Sequence, residues 1–133
     1  MKSRAAVIGV ALGAAAILVS APAWAQCVAP ASAYGAWSAN DGGTYYVRQI
    51  GNQFFWLGMS RDNGRSFTNV FHGTRQGNVI TGAWADVRGA SHGGGSLTLR
   101  IDGTAFMQRT NVTGGFSGSR WGRPCNDVVL NPQ

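Results

Sequence analysis

The segment Phe67-Thr68-Asn69-Val70-Phe71-His72-Gly73-Thr74-Arg75-Gln76-Gly77-Asn78-Val79-Ile80-Thr81-Gly82-Ala83-Trp84-Ala85-Asp86 decides the fold of this chain. Two runs rich in β-branched and aromatic residues flank Gly77-Asn78, a dipeptide suited to a two-residue type II′ hairpin loop. With such a loop, cross-strand partners are counted outward from the turn. Arg75 then faces Ile80, Gly73 faces Gly82, Phe71 faces Trp84 and Asn69 faces Asp86. Side chains alternate between the faces of a strand, so these pairs share one face, opposite Thr68, Val70, His72, Thr74, Val79, Thr81 and Ala83. The bulky aromatics mark the first face as the interior.

The same pattern recurs on either side. Gly51-Asn52 separates Thr44–Ile50 from Gln53–Met59, and Arg48-Gln49-Ile50-Gly51-Asn52 echoes Arg75-Gln76-Gly77-Asn78. Aligning the two hairpins puts Tyr45, Val47, Gln49, Phe54, Trp56 and Gly58 inside. Downstream, Asp102-Gly103 separates Ser96–Ile101 from Thr104–Asn111, and a type I′ turn there makes Leu97, Leu99, Ile101, Phe106, Gln108 and Thr110 one face. A first strand is predicted around Gly35–Ser38, and a last one around Gly118–Arg123 or at Val128–Leu130. Helical periodicity is scarce after Ala25, whereas Gly, Asn and Asp interrupt the chain every ~8–12 residues, the spacing of an antiparallel sandwich or barrel.

The N-terminal segment reads differently. Lys2 and Arg4 precede the uncharged, Ala-rich run from Ala5 to Val19, and Ala23-Trp24-Ala25 places small residues at −3 and −1 before a cleavage point. This is the layout of a secretory signal peptide, with an apolar run too short for the ~20 residues of a membrane-spanning helix. Residues 1–25 are therefore expected to be a signal, and residues 26–133 a single domain secreted or held in the periplasm. Removing Lys2 and Arg4 takes the formal charge from +6 to +4, and the basic residues left are spread along the chain. A nucleic-acid arm would cluster them, so nucleic acid is not an expected partner.

Cys27 and Cys125 are the two cysteines. In an oxidising compartment such a pair reads as a disulfide. Disulfide geometry needs Cα atoms within ~7 Å, so a Cys27–Cys125 bond brings the first and last strands together. The expected fold is thus all-β, an antiparallel up-and-down barrel of about eight strands closed by that bond. Closure would also remove exposed sheet edges. A two-sheet sandwich is the alternative.

The two-residue turns fall at one end of this barrel. The longer connections Ala39–Gly43, Arg61–Arg65, Val87–Gly94 and Val112–Ser117 fall at the other, which is the expected mouth. Ser60, Asn69, Asp86, Gln108 and Thr110 are inward residues near it, above Trp56, Phe71, Trp84, Leu99 and Phe106. An apolar floor under a few convergent polar groups suits a small ligand. The same residues could equally fill a core, because interiors are normally packed to high density.

Gly35-Ala36-Trp37 in the first strand, Gly43-Thr44-Tyr45-Tyr46-Val47 after a short loop, and Thr81-Gly82-Ala83-Trp84 together resemble the calycin barrels, the avidin and streptavidin group more closely than the lipocalins. The resemblance covers about a third of the chain. It implies capture of a small, mostly apolar ligand in the barrel, and a first-strand Trp37 that closes the floor under an arginine such as Arg109, Arg120 or Arg123. The residues expected to bind ligand are Trp37, Tyr45, Trp56, Asn69, Phe71, Trp84, Asp86, Phe106 and Gln108. No catalytic set is read. His72 falls on the outer face, His92 sits in the loop Ala90-Ser91-His92-Gly93-Gly94-Gly95, and only Asp86 among the carboxylates points inward. Two His without neighbouring Cys suggest no metal site. The alternative to a ligand carrier is a protein-interaction module or an inhibitor of an exported enzyme, docking through the Gly-rich loops beside Arg61, Arg65, Arg88 and His92.

Overall fold

The computed structural model describes Ala6, residues 9–19 and residues 29–123. Its strands are β1 (Gly35–Ala39), β2 (Thr44–Ile50), β3 (Gln53–Met59), β4 (Thr68–Gln76), β5 (Val79–Arg88), β6 (Gly94–Asp102), β7 (Phe106–Val112) and β8 (Arg120–Gly122). They form a closed antiparallel barrel in which each strand pairs with its neighbour in sequence. β1 and β8 complete the ring through Ser38 opposite Gly122 and Ala39 opposite Trp121. Backbone pairing therefore closes the barrel. Cys27 and Cys125 lie outside the described residues, as does the Val128–Leu130 alternative for the last strand. Among the described residues, no helix is long and apolar enough to cross a membrane.

The two glycine-led hairpins have the register counted from their turns. Ile50 pairs with Gln53 across Gly51-Asn52. Gln76 pairs with Val79, Phe71 with Trp84 and Asn69 with Asp86 across Gly77-Asn78. Gly51 and Gly77 take φ of 58° and 61°, as the first central position of a type II′ turn requires, while Asn52 and Asn78 stay at negative φ. Tyr45, Val47, Phe54, Trp56, Phe71, Ile80 and Trp84 accordingly point inward and are buried.

The third hairpin departs from its expected register. Asp102 stays in β6 and pairs with Phe106, so the loop spans Gly103 to Ala105 instead of two residues. Asp102 keeps a negative φ and only Gly103 turns positive, at 61°, which is incompatible with type I′. Moving the partner of Ile101 from Thr104 to Met107 is an odd shift, and an odd shift exchanges the faces of the whole strand. Met107 is therefore buried, Arg109 half-buried, and Gln108 and Thr110 exposed. Phe106 and Gln108 do not face the interior. A register irregularity at Thr98/Leu99 then sets Val112 opposite Leu97.

The interior is filled along its length. Trp37, Val47, Phe54, Ile80, Leu97, Leu99, Ile101, Met107 and Trp121 join the residues above in one buried cluster. At the hairpin end, the Arg123 guanidinium lies 5.3 Å from the Trp37 ring centroid. Its nitrogens donate to the carbonyls of Ser32 at 2.6 Å and Tyr34 at 2.8 Å. Arg123 is thus the arginine that covers the first-strand tryptophan.

Candidate functional site

The longer connections gather at the end opposite Trp37. The β1–β2 loop is set by Asp41, whose Oδ1 accepts from the Gly43 amide at 2.8 Å and whose Oδ2 accepts from the Tyr45 hydroxyl at 2.5 Å. Burial, then the Asp41 charge and hydrogen bond, push the Tyr45 phenol far above its ordinary pKa. Tyr45 is a neutral donor throughout the physiological range. The β3–β4 loop is organised by Asp62. Its Oδ1 accepts from Ser60 Oγ at 2.5 Å and the Ser66 amide at 3.1 Å, and its Oδ2 accepts from Ser66 Oγ at 2.6 Å. Those bonds hold the Asp62 carboxyl below the usual carboxylate range, led by the one from Ser60.

Between these two loops lies an open cleft of about 550 Å³ whose lining includes Asn40, Asp41, Ser60, Arg61, Asp62 and Ser66. The Arg61 side chain bridges it, donating from Nε to the Gly42 carbonyl at 3.1 Å. This cleft is on the rim of the barrel, outside the aromatic interior. None of the residues expected to bind ligand lines it.

A second, smaller cavity of about 40 Å³ opens at the mouth itself, lined by Phe67, Asn69, Trp84, Asp86, Ser91, Gly115, Phe116 and Ser117. Three of the expected residues, Asn69, Trp84 and Asp86, meet here. Asn69 is 3 % exposed, and its Oδ1 accepts from Trp56 Nε1 at 2.9 Å. The amide nitrogen is then the group Asn69 can offer. Gly58 makes this possible, since a Cβ there would stand 2.4 Å from Tyr45 Cε1 and 2.6 Å from Asn69 Oδ1. Asp86 Oδ2 accepts from the Gly93 amide at 2.7 Å, and Trp84 Nε1 donates to the Thr113 carbonyl at 3.0 Å.

Sequence reasoning missed the residue at the centre of the mouth. Phe116, from the β7–β8 connection, turns inward and is 6 % exposed. Its ring centroid lies 4.8 Å from Trp84, 5.8 Å from Trp56, 6.0 Å from Trp121 and 6.4 Å from Tyr45. Beneath it Trp56 packs on Phe71 at 4.7 Å, on Tyr45 at 5.1 Å and on Trp121 at 5.2 Å. The connection is gripped from both sides. Arg109 Nη1 donates to the Phe116 carbonyl at 2.6 Å and the Gly118 carbonyl at 3.0 Å. Asn40 Nδ2 donates to Ser119 Oγ at 2.7 Å, while its Oδ1 accepts from the Ser119 and Arg120 amides at 3.0 and 3.1 Å.

Trp37 lies at the far end of the barrel and Phe71 below Trp56, so neither reaches the mouth, and Phe106 and Gln108 face outward. Trp121 is the remaining interior aromatic that the sequence did not single out. It is wholly buried, and its Nε1–H has no acceptor among the described residues. Leaving such a donor unpaired costs about 1–3 kcal/mol. His72 and His92 are both exposed. His72 stacks on Phe55 with centroids 4.6 Å apart and bonds Gln53 Oε1 at 2.7 Å, on the outer face. No cluster of metal-binding side chains occurs among the described residues.

Fold and site together define an up-and-down β-barrel whose loop-bearing mouth is plugged by one of its own aromatic side chains. Comparison with protein-family models, curated proteins and solved structures gives no match to this chain.

Proposed function

We propose that this chain is an exported binding protein, not an enzyme, that takes a small apolar or aromatic ligand at the barrel mouth. The supporting observation is the meeting of Asn69, Trp84 and Asp86 with Phe67 and Phe116 around a cavity directly above the aromatic stack. An apolar floor with a few convergent polar groups is the usual make-up of a small-molecule site. The calycin resemblance points to the same end of such a barrel. The lower interior is the barrel's own core, so the ligand belongs above Trp56. The present cavity holds about one water and not a molecule of drug size, so ligand entry requires Phe116 to move. Native mass spectrometry of the protein recovered from an exporting host tests this reading. A co-purifying small molecule whose release changes tryptophan fluorescence is the expected result. A ligand-free protein that shows no fluorescence response across a library of apolar compounds would remove it.

A second reading rests on the open cleft between the β1–β2 and β3–β4 loops. Its size and mixed polar and apolar lining suit an inserted polypeptide segment, such as a loop of an exported enzyme. Substituting Arg61 and Ser66 would abolish a protein complex under this reading and leave small-molecule binding at the mouth unchanged.

A further inference from the structure

Trp121 and Phe116 specify the ligand more narrowly. The Trp121 indole is wholly buried, and its N–H has no partner among the described residues. Buried donors in native proteins almost always find an acceptor, so one that does not is a mark of an unfilled role. The neighbourhood of Gly118 indicates which way this donor faces. A Cβ built on Gly118 would lie 3.1 Å from Trp121 Cζ2, 3.0 Å from Asp41 Oδ2 and 2.9 Å from Phe116 Cε1. Cζ2 belongs to the nitrogen-bearing edge of the indole. That edge therefore faces Gly118, beside which the Phe116 ring and the Asp41 carboxylate also lie. Asp41 does not serve the indole: its oxygens accept from Tyr45 and Gly43, and neither lies within hydrogen-bonding reach of Trp121 Nε1.

We propose that the mouth binds a neutral aromatic carbonyl compound, whose ring takes the place of the Phe116 side chain and whose oxygen accepts the Trp121 N–H. This rests on the mouth being a ligand site, and it adds the class of ligand. The ring requirement follows from the walls. Tyr45, Trp56, Trp84 and Trp121 surround the Phe116 ring, Tyr45 and Trp84 edge to face. The acceptor requirement follows from Trp121. Neutrality follows from the cost of desolvating any charge over an apolar floor. The Phe116 ring can leave while Arg109 keeps its hold, because Arg109 grips the Phe116 and Gly118 carbonyls and not the ring. The ring is then an internal competitor for its own site, and removing it exposes the donor.

Acetophenone, ethylbenzene and benzoate probe these requirements, being similar in size and differing in acceptor and charge. Titration followed by tryptophan fluorescence is expected to show acetophenone binding to the wild-type protein, and binding at least tenfold tighter to Phe116→Ala. Ethylbenzene should bind Phe116→Ala at least tenfold more weakly than acetophenone, and benzoate more weakly still. In a ¹⁵N-labelled wild-type sample, the Trp121 indole N–H resonance should move downfield on adding acetophenone and stay in place with ethylbenzene. Trp121→Phe should bind acetophenone no more tightly than ethylbenzene, and the wild-type resonance decides the matter should that variant fail to fold. Equal binding of acetophenone and ethylbenzene with no indole shift would overturn the ligand class and leave the mouth standing as a binding site. Failure of all three probes to bind either protein would overturn both.

Discussion

Asn69 shows how one polar residue organises an aromatic interior. Trp56 is buried among rings that offer its indole N–H nothing, and Asn69 Oδ1 supplies the acceptor at 2.9 Å. Replacing Asn69 by Leu keeps the volume and strands the donor, so a loss of about 1–3 kcal/mol is expected from urea unfolding. A loss under about 0.5 kcal/mol would show that Trp56 finds another acceptor. Tyr45 makes a second residue-scale prediction. Its phenol is raised by burial and by Asp41, so the folded protein holds that proton at pH values where an unfolded chain releases it, above about pH 10. The stability associated with the neutral phenol is complete below that pH and falls as pH rises above it. Tyr45→Phe should flatten this alkaline loss, read as melting temperature against pH between about 9 and 11.

At the scale of elements, the β7–β8 connection is held largely by side chains from β7 and from the β1–β2 loop. Asn40 makes three of its bonds, all to Ser119 and Arg120. Asn40→Ala is expected to speed amide exchange at Ser119 and Arg120 by tenfold or more, with the β4 and β5 amides unchanged. Uniform protection across the variant would mean that Arg109 and Phe116 packing fix the connection without Asn40. The same connection explains why the site was only partly legible. Asn69, Trp84 and Asp86 stand on a hairpin whose turn fixes the face of each side chain, so alternation placed them correctly. Phe116 lies between Gly115 and Ser117, where no strand period assigns a direction. Trp121 sits on a strand of only Arg120–Gly122, too short to show alternation. Phe106 and Gln108 were misplaced by a single misjudged loop.

For the whole molecule, closure is the governing feature. The ring of hydrogen bonds runs through β1 and β8 without reference to either cysteine. A Cys27–Cys125 bond, proposed from the sequence, would tie down the segments flanking those strands and add up to ~4–5 kcal/mol by constraining the unfolded chain. Reduction of the purified protein is therefore expected to lower its melting temperature while leaving the near-ultraviolet circular dichroism of the aromatic core intact. Collapse of that signal on reduction would show that the strand pairing cannot close the barrel unaided. A mass unchanged by reduction and alkylation would show that the bond does not form.

The sequence by itself determined the all-β class, the strand count and the inward face of the two glycine-led hairpins. Each of these depends on local rules, a period of two and a turn whose geometry is written in two residues. The sequence also led to the expectation that the first and last strands meet, but only the tertiary structure decided that β1 and β8 close the ring by backbone pairing, that β7 presents Met107 and Arg109 inward, and that Phe116 fills the mouth. Closure, register across a three-residue loop and the direction of a loop side chain depend on contacts between residues distant in sequence, and no local period encodes them.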